Sequence, residues 1–270
     1  MVPGLSITFM IISAIIAIGL PLAVFLIWRK KYSLKAIPMC IGIGVFIVFA
    51  LGLQQIMHFF VLRPNPDGTI NLIARDPAIY VLYAILAAGI FEETGRFIAF
   101  QIIKKRYEGT GAGLSYGIGH GGIEALLLAG LPMVGLITMS IVVNTGNAAL
   151  LGFDSTVLAQ LNVLVNSEST LFLASGVERI IAVSVHISLS MLVWCAVKVK
   201  SKLWLYPAAI VIHAIFNIAP AMYQTGMTTN IWLTEGVIFV MAIPIAVAAG
   251  FACRAIERED PIKSLIERRK

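Results

Sequence analysis

The chain of 270 residues is 59% hydrophobic and 13% charged, with a mean hydropathy of +0.92, which excludes a water-soluble fold and puts most of its surface in lipid. A formal charge of +6 would suggest a polyanion partner in a soluble protein. Here the basic residues gather in short connectors, where they report orientation, and no nucleic-acid partner is expected. The three cysteines, Cys40, Cys195 and Cys253, lie in or beside apolar runs without CxxC or Cys/His spacing, which argues against disulfides and structural zinc.

Apolar stretches of the roughly 20 residues that cross a ~30 Å hydrocarbon layer recur along the whole chain. They cover about residues 5–28, 37–62, 78–103, 111–130, 131–151, 170–198, 203–222 and 231–253. The expected fold is all-α, a polytopic transmembrane helical bundle of about eight membrane helices. It forms one membrane-embedded domain over 1–270, with core motifs at about 80–220 and a cytoplasmic tail at 254–270. The first run is longer than a signal-peptide core and has no basic stretch before it, so it reads as a retained helix. The connectors carry loop signals, among them Arg29-Lys30-Lys31, Arg63-Pro64-Asn65-Pro66-Asp67-Gly68, Lys104-Lys105-Arg106 and Lys198 to Lys202.

The basic connectors after the first, third and sixth segments, with the basic tail, ask for a cytoplasmic C-terminus in a multi-pass plasma-membrane protein and an N-terminus outside. Eight crossings conflict with that parity. Either the charge bias misleads or one segment is re-entrant, and the candidate is Leu131 to Leu151, because Asn144, Thr145, Gly146 and Asn147 are too polar for lipid. Between Gly152 and Ser169 the helical spacing of Val157, Leu158, Leu161, Leu164 and Val165 predicts a short interfacial helix.

Ionisable groups at membrane depth cost several kcal/mol each unless paired or hydrated, which makes them functional candidates. Four clusters stand out. In Phe91-Glu92-Glu93-Thr94-Gly95-Arg96, Glu92 and Arg96 are four apart and can pair, which leaves Glu93, about 100° around the helix, as a surplus carboxylate. In Gly117-Ile118-Gly119-His120-Gly121-Gly122-Ile123-Glu124, His120 and Glu124 share a face flanked by glycines that allow close helix approach. Glu178-Arg179 precedes His186, and His213-Ala214-Ile215-Phe216-Asn217 sets a His/Asn pair one turn apart. Each cluster alone has a bland alternative: a buried ion pair, a glycine packing face, an interfacial pair or a structural histidine. Four on separate helices imply one hydrated site. His58, Gln54, Gln55 and Glu235 read as interfacial or packing residues.

Peptide hydrolysis needs an activated water, a group that stabilises the oxyanion and a proton for the leaving nitrogen. A glutamate could serve as base, histidines as proton carriers and Asn217 as oxyanion donor. Alternatively, His120, His186, His213 and a glutamate could hold a divalent metal such as zinc. No HExxH, GxSG or YD/GxGD motif is present. A proton- or ion-coupled transporter could use the same residue types, though the chain has no internal repeat, and an inert scaffold could retain them for packing.

The order Glu92-Glu93-Thr94-Gly95-Arg96, Gly119-His120-Gly121-Gly122-Ile123-Glu124, Glu178-Arg179 with His186, and His213 to Asn217 resembles the YhfC family of membrane peptidases. That family is related to the CAAX prenyl protease and PrsW superfamily. The resemblance spans about residues 80–220 and implies an intramembrane endopeptidase, glutamate-type or metal-dependent, acting on membrane-protein or peptide substrates in the bilayer. It matches Glu92 and Glu93 to an EExxR-type motif, His186 to a central histidine and His213 with Asn217 to a final HxxxN motif. By that match a glutamate activates water, the histidines assist, and Asn217 stabilises the oxyanion. His120 with Glu124 departs from the FxxxH pattern of the CAAX proteases.

Overall fold

The computed structural model describes residues 1–146 and 155–267. Among them all regular structure is helical. In chain order the elements are α1 (Gly4–Lys31), α2 (Ala36–Leu62), α3 (Asn71–Arg75), α4 (Pro77–Ile103), α5 (Gly111–Asn144), α6 (Ser155–Asn166), α7 (Ser169–Lys198), α8 (Leu205–Phe216), α9 (Ile218–Gln224) and α10 (Ile231–Glu267). Seven spans among the described residues are long and apolar enough to cross a membrane: α1, α2, α4, α5, α7, the stretch Lys200–Gln224 that includes α8 and α9, and α10.

The eight apolar segments make seven spans, because those at 111–130 and 131–151 join in one helix. The chain stays helical from Gly111 to Asn144, where the sequence suggests two segments with the second a re-entrant candidate, and relaxes into a π-helical turn at Leu126–Gly130. Pro132 lies two residues beyond it. Proline lacks an N–H and its ring crowds the carbonyl four residues back, and the wider π turn absorbs both defects without breaking the helix. Seven is odd, which is the parity the basic connectors demand. Asn144, polar for lipid, binds the N-terminal backbone: its Oδ1 accepts from Val2 N at 2.7 Å and its Nδ2 donates to Val2 O at 3.0 Å. Gly146, at φ +76°, ends the run. Asn147 to Leu151 lie outside the described residues. The short helix expected between Gly152 and Ser169 is α6, whose Leu161 and Leu164 are buried in a cluster with Val2, Met10, Met133 and Phe172.

The helix α7 is the hub. Of its most apolar stretch 83% is buried in protein, against 44% or less for every other span, and α1, α4, α5, α8 and α10 all pack on it. Its small and apolar residues are thus covered by helices, and the outer helices bear the lipid face. On α5 the glycines permit close approach. A Cβ on Gly117 would lie 2.6 Å from Ile187 Cα of α7, and one on Gly119 would overlap the Met39 carbonyl of α2. This face is what brings His120 and Glu124 against α4 and α7.

The helix α2 carries a second π-helical stretch, Phe46–Leu53. Widening the coil there shifts the register of everything after it. Phe46 is left edge-on to the His120 ring at 5.2 Å between centroids, and Gln54 and Gln55 are turned toward the interior cavities described below. At the start of α4, Asp76 accepts from Ile79 N at 3.1 Å as N-cap, and Pro77 opens the helix where its missing N–H is harmless.

Candidate functional site

Halfway along α4 the sequence Glu92-Glu93-Thr94-Gly95-Arg96 puts its two carboxylates on different faces. Glu93 turns into protein and pairs with Arg96 one turn on, both side chains being fully buried. Glu92 faces α5 and accepts from His120 Nε2 at 2.9 Å. The expectation that Glu92 would pair with Arg96 and leave Glu93 surplus is therefore reversed. Both i,i+3 and i,i+4 partners are within reach of a helical arginine. The choice falls on Glu93 because α8 presents His213 on the same side, donating Nδ1–H to Glu93 Oε1 at 2.8 Å.

The helix α7 joins the two halves. Arg96 Nη2 lies 3.2 Å from His186 Nδ1. A guanidinium can only donate, so Nδ1 accepts and the neutral ring carries its proton on Nε2. That Nε2 donates to Glu124 Oε2 of α5 at 2.5 Å, while Nδ1 sits 4.0 Å from Glu92. Two helical turns earlier on α7, Arg179 donates to Glu124 at 2.9 Å and to Glu178 at 2.6 Å. The three imidazoles form a row, with His120 4.9 Å from His186 and His186 5.4 Å from His213, centroid to centroid. Tyr116 stacks on His120 at 5.9 Å.

Seven of the eight expected site residues form this network. The eighth, Asn217, follows the last turn of α8 and lines the cavity onto which the network opens. That cavity, about 280 Å³, is bordered by Glu92, Glu124, Arg179, His186, His213 and Asn217. Glu93, Arg96 and His120 lie behind it. Arg179 is not among the expected site residues, since Glu178-Arg179 reads in sequence as an interfacial pair. Its spacing of seven from His186 is the available signal, placing both on one face of α7. Tyr116 carries no signal.

Two imidazoles and two carboxylates, those of Glu92, His120, Glu124 and His186, offer ligand atoms that all lie within 4.8 Å of one another. N and O donors of this kind suit zinc and related divalent ions. The expected trio of His120, His186 and His213 is not the group brought together at that distance: His213 stands on Glu93 instead. Charge also fits a cation. The linked network contains four carboxylates, Glu92, Glu93, Glu124 and Glu178, and two guanidiniums, Arg96 and Arg179. Glu178 is about a third exposed, so the buried groups are three carboxylates and two guanidiniums, an excess of negative charge that a bound cation or one protonated imidazole would balance. His120 Nδ1 and Glu93 Oε2 are buried with no hydrogen-bond partner.

Fold and site together define a polytopic α-helical membrane protein with a buried Glu/His/Arg centre at membrane depth. The model of the family described as YhfC intramembrane metalloprotease matches residues 12–238, and the chain belongs to that family. It is 34% identical over 246 residues to the uncharacterized membrane protein YhfC of Bacillus subtilis (strain 168), an alignment covering 90% of this chain and 94% of that protein. No solved structure matches the chain.

Proposed function

We propose that this chain is an intramembrane endopeptidase that works with a divalent metal ion held by His120, Glu124 and His186, with Glu92 as general base. The observation that carries the reading is the approach of ligand atoms from Glu92, His120, Glu124 and His186 to within 4.8 Å of one another beside a cavity. His186 would use Nε2 only with its proton moved to Nδ1, so metal binding would exchange the Arg96 contact seen here for an Nδ1–H donor. Three protein ligands leave a position open for water or substrate, the pattern of catalytic rather than structural sites. When bound, the ion would polarise the scissile carbonyl and lower the pKa of a coordinated water.

The protein's own groups then divide the remaining work. Glu92 lines the cavity and has no arginine of its own, so its carboxylate is available to take a proton from water. Arg179 holds Glu124 in place from behind, as a partner outside the ligand set commonly does. Glu93 fixes the His213 ring through Nδ1, which leaves Nε2 to carry a proton to the leaving nitrogen. Asn217, at the cavity wall, supplies an amide N–H to the developing oxyanion. The EExxR and HxxxN motifs support kinship with the CAAX prenyl protease and PrsW enzymes. Orientation follows the charge bias, with the C-terminus in the cytoplasm.

The test is cleavage of membrane-peptide libraries by the purified protein in lipid, with metal content measured on the same sample. Bound metal near one equivalent, cleavage abolished by chelator and cleavage lost in a folded Glu92→Gln variant support the reading. Metal-free protein that still cleaves would overturn its metal half. No cleavage, with proton-coupled flux that Glu92→Gln abolishes, would replace it with a transporter.

A further inference from the structure

A second and larger cavity, about 610 Å³, adjoins the first, and the two share Gln54, Gln55, Asn217 and Pro220 at their boundary. Its volume is within the ~300–1,000 Å³ of ligand-binding clefts. From that neck it runs between α2, α4 and α9 to a rim formed by Leu62, Pro64, Ile70 and Gln224. These residues end α2, lie in the connector to α4 and end α9, so the rim lies at one end of the bundle, where the spans leave the membrane.

Charge says which end. With seven spans alternating in direction, the connectors at 63–76 and 225–230 share a face, and those at 32–35, 104–110 and 199–204 share the other. On the second face, residues 29–35, 104–106 and 198–202 hold ten Lys and Arg. On the rim's face, residues 63–76 and 225–230 hold two, Arg63 and Arg75. Retention of basic connectors on the cytoplasmic side puts the rim outside.

The neck is polar in a particular way. Gln54 Nε2 lies 3.1 Å from His58 Nε2, and His58 Nδ1 lies 2.8 Å from Tyr83 Oη on α4. An amide nitrogen only donates, so His58 accepts at Nε2 and donates from Nδ1 to the tyrosine. The chain aligns Gln54 and leaves its Oε1 buried without a partner. Gln55 and Asn217 add further amides on the same boundary. Side-chain amides present both donors and acceptors, which is what an extended peptide backbone needs where water is scarce.

We propose that this larger cavity is the vestibule by which substrate reaches the site: it opens on the extracytoplasmic face and admits an extended peptide segment, whose backbone is held at the neck by Gln54 and Gln55. The proposal rests on the peptidase reading above. The substrates are then segments of membrane or exported proteins presented from the outer side, and a helical segment must unwind before it passes the neck.

Single cysteines at Ala84→Cys and Ala88→Cys, on the vestibule wall, test this in a chain carrying Cys40→Ser, Cys195→Ala and Cys253→Ser, with Ser201→Cys as a control on the opposite face. A charged, membrane-impermeant thiol reagent is applied to right-side-out and to inverted vesicles. Both vestibule cysteines are expected to react from the outside and to lose reaction from the inside, with Ser201→Cys doing the reverse. Reaction of Ala84→Cys and Ala88→Cys only from the inside, or from neither side while the control reports, overturns the proposal. Should the cysteine-free chain not accumulate, the same substitutions in the otherwise wild-type chain, with its own labelling subtracted, give the same answer. On a library peptide that the wild type cleaves, Gln54→Leu and Gln55→Leu should each raise KM about tenfold with kcat held, the effect of a hydrogen bond or two. An unchanged KM would remove the amides from the proposal. Failure of the peptidase reading shows as absent cleavage with outside labelling intact, whereas failure of the vestibule shows as inside labelling with cleavage intact.

Discussion

Glu92 and Glu93 are adjacent in the chain and occupy two different regions of the same site. Glu93 belongs to a closed region with Arg96 and His213, in which the charges are matched and both members of the ion pair are sealed from solvent. Glu92 belongs to an open region with His120, Glu124 and His186, which borders a cavity and holds more negative charge than positive. The 100° between successive helical residues is enough to separate them. A buried matched pair mainly fixes geometry, because removing either member strands a charge. An unmatched carboxylate at a cavity wall is available to bind a cation or take a proton. In the proposed mechanism the difference gives positioning to Glu93 and Arg96 and chemistry to the open region, with His213 between them as the proton carrier.

That contrast can be broken most directly by Glu92→Gln, which keeps shape and removes the base. Peptide cleavage should fall by about 10²–10⁴-fold, the usual share of general acid–base catalysis, while thermal unfolding in lipid stays near wild type. A large drop in stability instead would place Glu92 with the closed region. Arg96→Met is the mirror experiment. Stranding Glu93 should cost about 3–5 kcal/mol of stability, measured by denaturant or heat, and adding Glu93→Gln should restore most of it. If the double variant is no better than the single, Glu93 and Arg96 do not act as a pair.

A finer cut concerns Arg179, which touches Glu124 from outside the proposed ligand set. Arg179→Ala should weaken metal binding about 10–100-fold, by titration with a competing chelator, as loss of an orienting partner commonly does. Equal affinity in the variant would separate Glu124 from the metal. The smallest effect is expected away from both regions. Gly117→Ala places a methyl against the backbone of α7 and should cost about 1–3 kcal/mol as overpacking. Its residual activity per folded molecule should fall only as far as the His120 and Glu124 positions move.

Much of this architecture is legible in the residues alone. Apolar runs mark the spans because the cost of placing side chains in lipid is a local, additive property of the residues. Helical spacing of Val157, Leu158, Leu161, Leu164 and Val165 marks α6 for the same reason. The polar residues at depth stand out as candidates, since each would be expensive in isolation. The joining of two segments into α5 is not legible in this way. Asn144 reads as too polar for lipid when taken alone, and a contact with Val2 accommodates it, while a π turn ahead of Pro132 keeps the helix continuous.

What the amino-acid sequence by itself determined is the medium, the class of fold and the set of ionisable residues placed at membrane depth. All three follow from composition and from spacing within single helices. What only the tertiary structure decided is who partners whom. Arg96 can reach either glutamate, and the arrival of His213 on α8 settles the choice for Glu93. Arg179 looks interfacial until α5 sets Glu124 beside it, and Gln54 and Gln55 look incidental until α2, α4 and α9 enclose a cavity around them. Arg179 and Glu124 are 55 residues apart in the chain, and His213 and Glu93 are 120 apart. No periodicity within one helix encodes which distant neighbour will face it. Packing around α7 makes those contacts, and with them the division between the closed region and the open one.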